Sequence, residues 1–279
     1  MNISTNPQAD HQVGLRYFFS TFFQHRQLIW QLLVREIQGR FKGSILGSAW
    51  AVLSALIMLA LYTFIFGFIF KARWSQGADN PAEFALVLYL GLVLHGVLGE
   101  SVGRAPHIVM ANQAYVKKVA FPLEILTWTV LGSILFQFFA GLLVWFVAYL
   151  IFLGDLSVTM LYFPIILLPL IFYSLGVTWL LSSLGVYIRD ISQLTGVISM
   201  VLLFLCPIFY PISTIPLQYQ KFMYLNPLTV IVEQFRNVLL WGKSPDWEPL
   251  AISFGISLMV AWLGFVWFQK TRKGFADVL

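Results

Sequence analysis

From Ile45 to Phe70 the chain carries no charged side chain at all. A helix of that length, at ~1.5 Å rise per residue, outreaches a ~30 Å hydrocarbon core. Bare backbone N–H and C=O groups cannot stay unpaired in lipid, which forces such a run to satisfy its own hydrogen bonds. Comparable runs recur at about Phe84–Val102, Leu126–Leu153, Met160–Ile188, Ile191–Ile212 and Pro249–Phe268. The expected fold is therefore an all-α membrane protein with six transmembrane helices. Hydrophobic residues make up 59% of the chain and charged ones 10%, against ~25% charged in soluble domains. That balance leaves no length for a soluble catalytic domain.

The stretch from Tyr187 to Leu240 breaks the simple pattern. After the pair Arg189-Asp190 comes the uncharged run to Ile212, with Pro207, Pro211 and Pro216 clustered at its far end. Two shorter pieces follow, an amphipathic one at Leu217–Leu225 and a more apolar one at Leu228–Leu240, divided by Asn226-Pro227. Neither reaches the ~20 residues a crossing needs. A re-entrant hairpin over residues 213–240 fits better than a seventh span, and such backbone is tolerated only inside protein or beside a water-filled cavity. Glu233 and Arg236 are three apart on its second arm, close enough for an ion pair within one turn, and charges at membrane depth are expected to pair, contact backbone carbonyls or face water. Asn226, Pro227, Glu233 and Arg236 are thus the candidate gate residues; the plainer alternative is a hairpin lying at the interface with its charges in water.

Net charge is +5, and one cysteine, Cys206, excludes an internal disulfide. The basic residues sit in loops that flank the runs, where the positive-inside rule accounts for them without any nucleic-acid partner. With both termini inside and six spans, only Lys71, Arg73, Lys221, Arg236 and Lys243 of the 17 basic residues fall outside. A seventh span would move the basic tail out as well. Both termini are therefore expected in the cytoplasm.

Residues 1–14 read as a flexible lead and residues 15–42 as an amphipathic interface helix, broken near Arg26, ahead of a membrane domain over residues 43–279. That helix could be a simple anchor or a docking surface. The first hydrophobic run begins behind this lead, so no cleavable signal peptide is expected. Gly43 and Gly47 have the small-xxx-small spacing that lets helices approach closely. His95 and Glu100 are ionisable groups in the second run, functional candidates by default, though each could equally satisfy a neighbouring group.

No His/Cys/Asp/Glu set has metal-ligand spacing and no G-x-S-x-G elbow occurs. Asn237–Ser244 is a near miss to a phosphate-binding loop, without the strand and helix such a loop requires. The chain holds no power source of its own.

Several segments nevertheless carry a family resemblance. The loop Arg104–Glu124 is basic and contains Tyr115-Val-Lys-Lys-Val-Ala-Phe-Pro-Leu-Glu; Arg35–Trp50, Tyr187-Ile-Arg-Asp-Ile, Pro207-Ile-Phe-Tyr-Pro and Tyr224-Leu-Asn-Pro-Leu follow in order. Together they resemble type-2 ATP-binding-cassette permeases that export capsular polysaccharide, O-antigen or teichoic acid. The resemblance implies a permease subunit, not an enzyme, in the cell inner (cytoplasmic) membrane. It implies two partner ATPase subunits that bind the ATP and magnesium, a second copy of the chain, membrane lipid, and a lipid-linked glycan as substrate. It also implies a coupling segment at residues 104–124, with Arg104, Tyr115, Lys117, Lys118, Phe121 and Pro122 at or near the ATPase contact. A central path between the first and fifth spans would carry Tyr62, Phe66, Phe204 and Tyr210. An exporter of drugs or lipids, a membrane-embedded glycan-processing enzyme and a passive channel are the competing readings.

Overall fold

The computed structural model describes residues 15–70, 74, 81–117, 121–154 and 156–279. The lead 1–14, most of the loop that follows Phe70, and Lys118 lie outside the described residues. Among the described residues the chain is all-helical. Five helical stretches are long and apolar enough to cross a membrane: Ala49–Ile69, Ala82–Ala111, Ile125–Phe152, Val158–Tyr187 and Trp247–Val278.

The amphipathic lead forms α1 (Leu15–Gln24) and α2 (Arg26–Arg40), broken at His25 beside Arg26. Helix α3 (Ala49–Tyr62) continues as a π-helix over Thr63–Ile69. Next come α4 (Pro81–Arg104), the short turns α5 (Ile108–Ala111) and α6 (Gln113–Val116), and α7 (Ile125–Phe152). Then follow α8 (Phe163–Tyr187), α9 (Ile191–Phe204), α10 (Leu217–Met223), α11 (Pro227–Leu239) and α12 (Trp247–Thr271).

Helix α9 departs from the expected span. Its 14 residues reach ~21 Å, and the chain then turns through Pro207 and Pro211 instead of continuing as helix to Ile212. Proline supplies no N–H and forbids the regular ladder, so the remaining approach to residue 212 is made by irregular backbone. Pro169 inside α8 is tolerated, as prolines in apolar helices are when neighbours re-satisfy the freed carbonyl.

Gly43 and Gly47 do not serve helix packing. Their φ angles of 83° and 52° put both in the left-handed region, and a Cβ there would meet open space. They make the turn between α2 and α3, which only glycine accepts without strain. The close helix crossing is elsewhere, between α8 and α12. A Cβ on Gly264 would lie 2.2 Å from the carbonyl oxygen of Gly176. We expect Gly264→Ala to force the helices apart and destabilise the protein by roughly 1–3 kcal/mol, as overpacking does, seen as a lower apparent Tm in detergent; an unchanged Tm would disprove this crossing.

The two arms of the 213–240 segment behave differently. Helix α10 is a surface element, with Leu217 and Phe222 exposed. Helix α11 packs against α4, α8 and α12, and buries Leu228, Ile231, Val232, Phe235 and Val238. It lies at the end of the bundle where α4, α8 and α12 begin, here called the hairpin end. The opposite end, where α2 meets the 104–124 loop, is the brace end.

Candidate functional site

At the hairpin end the broken terminus of α9 leaves backbone carbonyls that no helix can pair. Side chains pair them instead. Asn226 donates from Nδ2 to the Leu202 carbonyl at 2.7 Å, and the Tyr210 hydroxyl donates to the Phe204 carbonyl at 2.7 Å. Asn226 uses its other face as well: Oδ1 accepts from the Leu228 N–H at 3.0 Å, capping α11, while Pro227 occupies the first turn.

Arg236 supplies the remaining donors. Its guanidinium donates to the Pro207 carbonyl at 2.6 Å, to Ile208 at 3.1 Å and to Val87 of α4 at 3.2 Å, and lies 4.4 Å from the ring centre of Trp74. The side chain is 2% exposed. Of the alternatives open to this pair, Arg236 takes backbone carbonyls; among the described residues no salt bridge joins Glu233 to Arg236. Glu233 accepts from the Tyr224 hydroxyl at 3.2 Å instead. The reason is geometric. The fork of Arg236 matches a cluster of carbonyls from two other segments, and carbonyls satisfy a buried guanidinium without desolvating a carboxylate.

At the brace end, Arg104 contacts Glu36 of α2, donates to Ser133 of α7 at 3.0 Å and approaches Glu100 at 3.5 Å. Arg40 donates to the same Glu100 at 2.8 Å. Glu100 is thereby a brace between α2 and α4, and Arg104 is held within the chain. His95 donates from Nε2 to the Ser199 carbonyl at 3.0 Å, joining α4 to α9. Tyr115 stacks on Phe121, ring centres 4.3 Å apart, with Arg35 of α2 5.7 Å from the Tyr115 ring centre. Lys117 is exposed. Pro122 does not open α7; it stands three residues before Ile125, and its carbonyl accepts the Ile125 N–H at 3.1 Å.

Glu124, which charge and motif reasoning left without a role, is the most buried carboxylate of this end, with 0% exposure. It accepts from Arg272 at 2.7 Å and from the Tyr17 hydroxyl at 2.9 Å, and its carbonyl accepts from Trp179 at 3.2 Å. Arg272 also donates to the Phe121 carbonyl at 3.3 Å. Burial, and then the charge of Glu124, push the Tyr17 phenol up to about 12. Tyr17 therefore keeps its proton, and its donor role, throughout the physiological range. Glu124 thus ties α1 and the residues after α12 through its carboxylate, and α8 through its backbone carbonyl, to the end of the 104–124 loop.

A family model described as ABC-2 type transporter matches residues 27–240, from the start of α2 to the end of the hairpin. The chain belongs to that family. This transporter is also 24% identical to the O-antigen export system permease protein RfbA of Myxococcus xanthus, over 91% of its own length and 96% of the relative's. It is 22% identical to a Klebsiella pneumoniae protein of the same name, over 88% and 92% of the two chains. The polysialic acid transport protein KpsM of Escherichia coli is 24% identical over 87% and 92%. The transporter is a multi-pass membrane protein and a transport subunit, not an enzyme.

In the single transporter chain the four aromatic residues singled out for a path fall in two groups. Tyr62 and Phe66 have ring centres 6.4 Å apart, and Phe66 packs 5.8 Å from Phe84 of α4. Phe204 stacks on Phe209 at 5.9 Å and receives the Tyr210 bond. Among the described residues no ring contact joins the two groups. Helix α3, its π-helical continuation and α9 leave large apolar residues uncovered, among them Leu61 on α3, Phe64 and Phe68 on the continuation, and Val197, Met200 and Phe204 on α9.

Proposed function

We propose that this chain is the membrane subunit of an ATP-driven exporter that moves a lipid-linked polysaccharide across the inner membrane. The observation that carries the reading is the likeness, over about nine-tenths of both chains, to proteins named for O-antigen export and polysialic acid transport. The brace end faces the cytoplasm and the hairpin end the exterior, in keeping with the excess of basic residues on the loops and tails of the former. In this reading α9 with its irregular extension makes a sixth crossing, α1 and α2 lie at the cytoplasmic interface, and α10 and α11 form the re-entrant hairpin that closes the exit. Two copies pair around a path edged by α3 and α9; the uncovered apolar faces of these helices support that arrangement.

Two separate ATPase subunits dock on the 104–124 loop, with Lys117 and Lys118 at the contact and Tyr115, Phe121 and Pro122 shaping the loop behind them. The stacked Tyr115–Phe121 pair gives that loop a rigid body through which ATPase closure is passed on. Arg104 acts one step removed, by bracing α4 to α2. ATP and magnesium are held by the ATPase, and this chain supplies the path.

The test is a Lys117→Glu, Lys118→Glu double variant expressed with the ABC ATPase subunits of the same organism. Wild-type permease is expected to co-purify with that ATPase and to restore surface glycan. The double variant should insert normally, lose ATPase co-purification at least tenfold, equivalent to ~1.4 kcal/mol, and lose export with it. Normal export by the variant would remove the lysines from the contact. Failure of the wild type to bind any ATPase would favour a passive channel.

A further inference from the structure

At the hairpin end a cavity of about 360 Å³ is walled by Trp74, Tyr224, Glu233, Asn237, Trp241 and Asp246, with Arg236 among its lining. Its volume lies near the lower end of the ~300–1,000 Å³ of ligand pockets, yet its lining is unlike their usual apolar walls. Two carboxylates and two amides share it with three aromatic rings.

The hydrogen bonds within the wall show what is left for a visitor. Gln234 and Asn237 both direct their amide N–H groups at Asp246, at 3.2 and 3.5 Å, and Gln234 Oε1 accepts from the Asp246 N–H at 2.8 Å. Asn237 Nδ2 also donates to Gln234 Oε1 at 3.3 Å, so the second N–H of Gln234 is the amide donor left over. Arg236 is committed to its three carbonyls. Among the described residues, Glu233 Oε1, Asp246 Oδ1 and Asn237 Oδ1 have no partner. The free capacity is therefore mostly acceptor oxygens, beside the rings of Trp241 and Tyr224.

We propose that this cavity is a saccharide subsite that takes one pyranose unit. A sugar ring presents many O–H donors together with apolar C–H faces, which is the complement of carboxylate oxygens flanked by aromatic rings. An inorganic cation suits it less, because the Arg236 guanidinium lies in the same wall and no set of three acidic, His or Cys ligands converges among the described residues. The walls come from five places: Trp74 in the chain after α3, the α9–α10 connection at Pro211 and Ile212, the 213–240 segment, Trp241 just past it, and Asp246 before α12. A sugar held there bridges the elements that border the exit. The inference rests on the polysaccharide-export reading and adds a place where the chain touches its cargo.

The experiment uses the permease with its ATPase in lipid nanodiscs. The probes are a panel of free hexoses, N-acetylhexosamines and deoxyhexoses, together with the acid hydrolysate of the host's own surface polysaccharide. Binding is read by saturation-transfer NMR. At least one sugar is expected to bind wild type, to weaken about tenfold or more with Trp241→Ala or Glu233→Gln, equivalent to ~1.4 kcal/mol, and to be retained by Trp241→Phe, which keeps an aromatic face. Trp241→Ala should match wild type in apparent Tm and in co-purification with the ATPase, which separates a lost subsite from a misfolded protein. No sugar binding by wild type, or equal binding by wild type and Trp241→Ala, overturns the subsite. A calcium titration that saturates wild type but not Glu233→Gln, with no sugar bound, overturns it in favour of a cation site. Glycan export without sugar binding leaves the transport reading standing and removes the subsite, whereas sugar binding without any glycan export removes the transport reading.

Discussion

Replacing Arg236 with methionine is expected to destabilise the transporter by about 3 kcal/mol or more, read as a fall in apparent Tm of the detergent-solubilised protein. Three carbonyls, those of Val87, Pro207 and Ile208, lose their donors together. Each buried polar group left unpaired costs ~1–3 kcal/mol. Removing a buried charge offsets only part of that. Arg236→Lys keeps the charge but not the planar fork, so an intermediate loss is expected. Glu233→Gln should shift stability by less than about 1 kcal/mol, because its one protein bond is to a partly exposed tyrosine. Equal losses from Glu233→Gln and Arg236→Met would restore the intrahelical ion pair and refute the carbonyl cage.

The second large effect is expected at Glu124. Truncating one partner of a buried ion pair costs ~3–5 kcal/mol, while replacing both by apolar residues of similar size is often neutral. Glu124→Leu and Arg272→Met should therefore each lower stability sharply, and the Glu124→Leu, Arg272→Met double variant should recover most of it. Export is the separating measurement. If the pair only holds the fold, the double variant exports normally once its stability returns. If it passes movement from the 104–124 loop to α1 and the residues after α12, the double variant stays folded, binds ATPase and still exports poorly. We expect the second outcome, since Arg272 grips both Glu124 and the Phe121 carbonyl of that loop. Full export by the double variant would reduce the pair to scaffolding.

The long apolar helices were readable because lipid imposes a demand that composition alone reports: a charge-free run must be helical and about so long. The break in the lead near Arg26 was readable for a related reason, since Arg26 interrupts the apolar stripe. What could not be read is where a polar side chain finds its partner across the fold. Arg236 and Val87 are 149 residues apart, and Arg272 and Glu124 are 148 apart. Membrane depth offered Arg236 either Glu233 or backbone carbonyls, and local spacing could not say which carbonyls would come within reach. Glu124 lay inside a recognised loop but carried no periodic signal, and Arg272 looked like one more positive charge at a membrane boundary. Gly43 and Gly47 fit a packing motif by spacing, while their actual use is a turn, which depends on φ and leaves no trace in periodicity. The prolines after Phe204 did announce a break, yet only the tertiary structure shows which donors make it tolerable.

Asn226 joins two helices through a single flat amide. Its oxygen belongs to the start of α11 and its nitrogen to the end of α9. The amide is planar, so the two bonds are held in a fixed relative direction by one rigid group. Separating α11 from the tip of α9 requires the bond from Asn226 to the Leu202 carbonyl to break. The joint has a donor end and an acceptor end: exchanging the amide for a carboxylate keeps the cap on α11 but turns an attraction to the Leu202 carbonyl into a repulsion between two oxygens. A joint of this kind tolerates no isostere.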